Sequence, residues 1–184
     1  MKKITLFFAL LLIALSSNLN AQIQVGDGTI NYYAPIDFRY DRSYSQVIYL
    51  GSEINASGTI TSLAWYYNNI FETIPNHNID VYIGHTRKNN FTYTQQSGTK
   101  ADYEPATNLT KVYSGRLVTN SSKGWKTIIL DTPFDYDGSS NLVVAVNSSF
   151  NGQIWPFSDP DRFYNTSNSG VRTLTSQTNG GAPY

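Results

Sequence analysis

Histidine, cysteine and paired carboxylates are the usual raw material of a reactive centre, and in this 184-residue chain they are scarce. Cysteine is absent and the histidines are two, His77 and His85. Read as members of one extended strand, they are separated by roughly 26 Å at about 3.3 Å per residue, too far to share a metal ion or a proton relay. A nucleophile needs an activating base within hydrogen-bond reach. The chain has neither a Gly-x-Ser-x-Gly elbow nor a phosphate-cradling glycine loop. A glycosidase pair, two carboxyls about 5 to 10 Å apart, would have to come from Glu53, Glu72, Asp80 and Glu104, none of which stands in a motif that recommends it. No catalytic residue is expected, and a secreted glycoside hydrolase or peptidase fragment is the weakest functional alternative.

Two other groups of residues could hold a ligand. Asp135-x-Asp137-Gly138 and Asp159-Pro160-Asp161 each set two carboxylates close together, and hard oxygen donors of this kind suit calcium. Neither completes an EF-hand loop, and Asp-Gly and Asp-Pro are turn signals first. The cofactor expectation is therefore none, with structural calcium on Asp135, Asp137, Asp159 and Asp161 as the alternative. The aromatics are the larger resource, with 14 Tyr, 9 Phe and 3 Trp. Trp155, Phe157 and Tyr164 lie among Asn151, Gln153, Asp159 and Arg162, the mixture of rings and hydrogen-bonding groups that a sugar site requires. Tyr32, Tyr33, Tyr40 and Tyr44 form a second cluster. Strands favour aromatics, and each buried ring removes about 150 to 250 Å² from water, so Trp65 and Trp125 are expected in the core. Trp155, just before Pro156, is expected near an edge.

These groups need a scaffold, and the chain's beginning says where it works. Lys2 and Lys3 precede an apolar run from Leu6 to Leu15, and a short polar stretch closes at Ala21. This is the pattern of a signal peptide, shorter than the roughly 20 residues of a membrane-spanning helix. Residues 1–21 are read as the signal peptide and 22–184 as one domain, secreted or at the cell surface with the periplasm as alternative, and without membrane insertion. Removing Lys2 and Lys3 from the 13 basic residues leaves 11 against 13 acidic ones, a net charge of about −2. Nucleic-acid binding requires a concentrated basic face, which scattered Lys and Arg do not supply. Without disulfides, stability must come from the core, and about 160 residues suffice for one.

Beyond residue 21 the periodicity is that of strands. Asn78 to Gly84 alternates cleanly, with Ile79, Val81 and Ile83 on one side and Asn78, Asp80 and Tyr82 on the other. Similar runs lie at 45–50, 59–67, 111–118, 125–131 and 141–147, with weaker ones at 153–157 and 171–175. The five consecutive apolar residues Leu142 to Val146 point to a central strand covered on both faces. Turns such as Asn55-Ala56-Ser57-Gly58 and Asp135-Tyr136-Asp137-Gly138 separate them. Many short strands with such punctuation predict an all-β antiparallel sandwich or barrel. Thr86 to Leu109 lacks periodicity and is expected to be a crossover loop with one helical turn.

Several motifs occur in an order that resembles a known family. They are Val25-Gly26-Asp27-Gly28-Thr29, Tyr44-Ser45-Gln46 with Ile48-Tyr49, Gly58-Thr59-Ile60-Thr61-Ser62-Leu63, Asp80-Val81-Tyr82-Ile83-Gly84-His85-Thr86, and Asp131-Thr132-Pro133-Phe134 through Asn141-Leu142-Val143-Val144-Ala145-Val146. Over about residues 23–175 the chain resembles the jelly-roll domains of Bacteroidetes secreted proteins related to gingipain-type cleaved adhesin domains. The resemblance implies a carbohydrate-binding-module-like jelly-roll sandwich, of a kind often found with fibronectin type III repeats and a type IX secretion sorting tail. It also implies a non-catalytic adhesion or interaction module, or a carbohydrate-binding accessory domain, meeting an extracellular glycan or protein surface. Against the family pattern the chain lacks a closing strand after residue 180, which leaves a sheet edge expected to accept strand donation.

Overall fold

The computed structural model describes residues 22–68, 78–92, 102–118, 122–150, 162–167 and 169–178. Nine strands form there: β1 (Ile30–Tyr32), β2 (Arg42–Tyr49), β3 (Gly58–Tyr67), β4 (Asn78–Thr86), β5 (Thr110–Arg116), β6 (Gly124–Tyr136), β7 (Asn141–Ser149), β8 (Phe163–Asn165) and β9 (Thr173–Thr178). They form a four-stranded sheet in the order β1-β8-β3-β6 and a five-stranded sheet in the order β5-β4-β7-β2-β9. All pairings are antiparallel. The chain is thus an all-β sandwich.

Between the sheets lies one core. Ile79, Val81 and Ile83 of β4 face it, as their alternation requires, and meet Tyr67, Ile128, Leu130 and Phe163 from the other sheet. β7 is central, and Leu142 to Val146 are all buried because both its faces are covered. β2 contributes Ser43 and Ser45 to the inner face, opposite Ser148 and Val146 of β7. The space so left admits the segment before it: Ser45 Oγ donates to the Pro35 carbonyl at 2.8 Å, and Ser43 Oγ accepts the Asp37 N–H at 3.1 Å. Ile36 and Phe38 of that segment are buried in the core, Phe38 within 6.0 Å of Phe163 and 6.4 Å of Tyr67, ring centre to ring centre. A short polar face on β2 therefore becomes a socket for an apolar plug.

The expected crossover has a defined task. Its described parts lie over the outer face of the five-stranded sheet, where Ile48, Val143 and Leu174 pack against Phe91, with Tyr103 and Leu109 beside them. The expected helical turn is a 3₁₀ turn at Ala106–Asn108. Gly84 shows how close the roof sits: a Cβ there would stand 2.4 Å from the Asn108 carbonyl oxygen. The roof is also held by polar contacts. The buried Gln46 side chain donates to the Glu104 carbonyl at 2.9 Å and accepts the Glu104 N–H at 2.7 Å, so it imitates a backbone partner.

The weak candidate at 171–175 is a real strand: β9 pairs with β2 from Thr173 to Thr178 and, with β5, bounds the five-stranded sheet among the described residues. The candidate at 153–157 lies outside the described residues.

Candidate binding face

The outer face of the four-stranded sheet has no such roof among the described residues. β6 alternates along 124–130, with Lys126, Ile128 and Leu130 buried and Trp125, Thr127 and Ile129 exposed. In the register, Tyr66 stands opposite Trp125, Ala64 opposite Thr127 and Ser62 opposite Ile129. Ile129 is 70% exposed and Trp125 48%. The expected core position of Trp125 is thus corrected: the residues on either side of it turn inward, and a strand's pleat then sends the indole outward. Trp65, by contrast, packs against the core as expected. There it meets the buried phenol of Tyr49, which burial pushes up to about 12 although the contact with Trp65 works the other way.

Three outward rings run across three adjacent strands. Tyr164 on β8 stacks on Tyr66 of β3 at 4.9 Å between centres and 8° between planes, and Tyr66 meets Trp125 of β6 edge to face at 5.6 Å. These spacings follow from the strand separation of about 4.8 Å. Beside them, Asn68 Nδ2 donates to Asn31 Oδ1 at 2.9 Å. Among the described residues Asn68 Oδ1 has no hydrogen-bond partner.

The predicted ligand site is only partly brought to this place. Tyr164 belongs to the ladder. Arg162 sits beside it in sequence, but its guanidinium lies 5.2 Å from the Tyr33 ring, on whose π-face Arg39 rests at 3.8 Å. Asn151, Gln153, Trp155, Phe157, Asp159 and Asp161 lie outside the described residues. The tyrosine cluster divides. Tyr32 and Tyr33 are 6.1 Å apart and Tyr40 is within 5.5 Å of Arg39, whereas Tyr44 lies against Tyr103 at the roof. Tyr66 and Trp125, which complete the ladder, were not picked out by their spacing. No local signal marked them, because Lys126 occupies a buried position and Ile128 and Ile129 fall on opposite faces.

The acids are engaged locally. Asp137 accepts the Ser139 N–H at 2.7 Å, the Ser140 N–H at 2.8 Å and the Ser140 hydroxyl at 2.7 Å. These donors hold its carboxyl far below the ordinary range. Asp135 accepts from the Thr59 hydroxyl at 2.7 Å. Among the described residues no three His, Cys, Asp or Glu side chains gather to hold a metal ion. Asp80 is bound by the Ser114 hydroxyl and lies 3.4 Å from the Lys111 ammonium. Glu53 pairs with Arg172, and buried Glu104 accepts from Thr86 and Asn108. His85 lies 5.0 Å from Phe134 and 5.8 Å from Tyr136, and its Nε2 accepts the Asp137 N–H at 3.3 Å. His77 and Glu72 lie outside the described residues.

A shallow open cleft of about 260 Å³ opens between the edges β1 and β9, lined by Ile30, Tyr32, Val171 and Arg172. At the opposite side of the sandwich the sheets are tied together, the Ser114 N–H donating to Asp131 at 2.9 Å. Comparison with protein-family models, with curated proteins and with solved structures finds no match.

Proposed function

We propose that this chain is a non-catalytic extracellular adhesion or interaction module that presents the outer face of its four-stranded sheet to a partner. The observation that carries the reading is the ladder of half-buried Tyr164 and Tyr66 with exposed Trp125, continued by exposed Ile129 on the same sheet face. Exposed rings with a few convergent polar groups are what a recognition surface needs. The signal-peptide pattern of residues 1–21 supports an extracellular or cell-surface location.

A jelly-roll topology and kinship with the cleaved adhesin domains belong to the same proposal. Supporting them is the strand order, in which β1-β8-β3-β6 faces β5-β4-β7-β2 with β9 added beyond β2. The test is retention of labelled mature protein on immobilised collagen, fibronectin and insoluble polysaccharide. Retention on at least one surface, lost in Trp125→Ala with Tyr66→Ala, is expected. No retention anywhere, or retention unchanged by the double substitution, overturns the reading.

A further inference from the structure

We propose that a second copy of this chain docks on the outer face of the four-stranded sheet, about a two-fold axis lying along the Ala64–Thr127 pair. The proposal rests on the reading of that face as a recognition surface and names a partner for it. Its basis is a register that places bulky, small and charged positions symmetrically about that one pair.

A two-fold contact is self-complementary, residue i of one copy meeting j of the other as j meets i. Facing sheets stand about 10 Å apart with their strands roughly aligned. An axis across the strands at Thr127 then sets Trp125 over Ile129 of the second copy and Thr127 over its own counterpart. On β3, Tyr66, Ala64 and Ser62 stand opposite Trp125, Thr127 and Ile129. The same axis therefore sets Tyr66 over Ser62 and Ala64 over Ala64. The bulky end of each face lands on the slighter end of the other. Its ridge is prepared in advance: Tyr66 is half-buried, stacked on Tyr164 at 4.9 Å and met edge to face by Trp125 at 5.6 Å. Rings already held cost little further ordering on association.

Charge selects the same axis. Lys123 is exposed in the turn that leads into β6, and Asp131 and Asp135 are exposed towards the strand's other end. Lys123 and Asp131 lie equal distances along the chain from Thr127, so the axis that matches sizes also brings each Lys123 to the acidic end of the second copy. A copy docked in the parallel sense would set acid on acid. Asp131 accepts the Ser114 N–H at 2.9 Å and Asp135 the Thr59 hydroxyl at 2.7 Å, which fixes both carboxylates in place. Charges at such a rim set register more than affinity.

The area sets the strength. Beside Tyr66 the described face is four strands wide and beside Ser62 it is two. At about 4.8 Å per strand and 3.3 Å per residue this makes roughly 400 Å² in projection. Stable interfaces take about 800 Å² of accessible surface from each partner, so the dimer is a reversible one that forms with rising concentration.

Sedimentation equilibrium of the mature protein from about 5 to 300 µM tests the docking, a range suited to an interface of this size. A monomer–dimer equilibrium is expected. Trp125→Ala should weaken it about tenfold or more, and Lys123→Glu about threefold at low salt and little at high salt, with thermal midpoints within a few degrees of the parent. The chain has no cysteine, so the axis can be located by cross-linking. The Thr127→Cys variant should be joined to itself by a bismaleimide of about 10 to 15 Å, the spacing of facing sheets. The Lys123→Cys variant, with its two thiols about 26 Å apart, should not. A monomer throughout the range overturns the proposal, as does a dimer indifferent to Trp125→Ala or, at low salt, to Lys123→Glu. Cross-linking of Lys123→Cys as readily as Thr127→Cys also overturns it. A monomer still retained on collagen, fibronectin or polysaccharide through Trp125 and Tyr66 sinks the self-docking and leaves the adhesion reading standing; a monomer retained nowhere sinks both.

Discussion

The two outer faces of the sandwich begin from the same rule and end in opposite states. On the five-stranded sheet the outward residues Gln46, Ile48 and Val143 are buried, because the crossover returns over them with Phe91, Tyr103 and Leu109. On the four-stranded sheet the outward residues Trp125 and Ile129 remain in solvent. The first face has become a second core, while the second carries no cover among the described residues. Alternation specifies that a strand has two sides; only the path of the connecting chain settles which outer side is structural. Large apolar groups on a side without a roof among the described residues give folding little.

Substitutions can sharpen or break this contrast. The largest effect is expected from Phe91→Ala, which should cost about 3 to 5 kcal/mol in urea unfolding, as for a buried ring in any core. A loss below about 1 kcal/mol would mean that the roof is only a surface loop. Gln46→Leu should cost about 1 to 3 kcal/mol by stripping the Glu104 N–H and carbonyl of their buried partners, and amide exchange should rise at Glu104. Trp125→Ala should cost under about 1 kcal/mol, because the ring's contribution to folding is mainly its contact with Tyr66. Thermal midpoints of the three variants should therefore rank in that order.

The smallest effects concern the ion pairs that fasten the roofed side. Arg172 lowers the pKa of Glu53, and Lys88 lowers that of Asp102. A carboxyl whose pKa is depressed by folding stabilises the native state above its unfolded pKa, and the benefit disappears as pH falls through the folded value. Both groups are more than a third exposed, so solvent screening limits each to about 0.5 kcal/mol or less. Acid titration of the unfolding midpoint should show a shallow decline that begins as the pH falls into the ordinary carboxylate range and is complete below the lowered folded values. Glu53→Gln with Asp102→Asn should flatten it.

The layered architecture was readable because burial on one face imposes period two. Ile79, Val81 and Ile83 give the inner face of β4, and the unbroken Leu142 to Val146 gives the central place of β7. The short strands β1 and β8 were not readable, since three residues hold too little pattern. Neither was the roof. Gln46, Glu104 and Gly84 acquire their roles from contacts across long sequence separations, which no local spacing records. The misplacement of Trp125 has the same origin: aromatic β-propensity identifies a strand but does not distinguish its faces. The aromatic ladder draws one member from each of three strands, and among them only Tyr164 lay in a segment whose local composition marked it.

Hydroxyl-radical footprinting of the native mature protein tests the asymmetry of the two faces most directly. Trp125 and Ile129 should be modified several-fold faster, relative to their intrinsic reactivity, than Phe91 and Leu174. Equal modification of both sets, or protection of Trp125 in the free protein, would contradict the account.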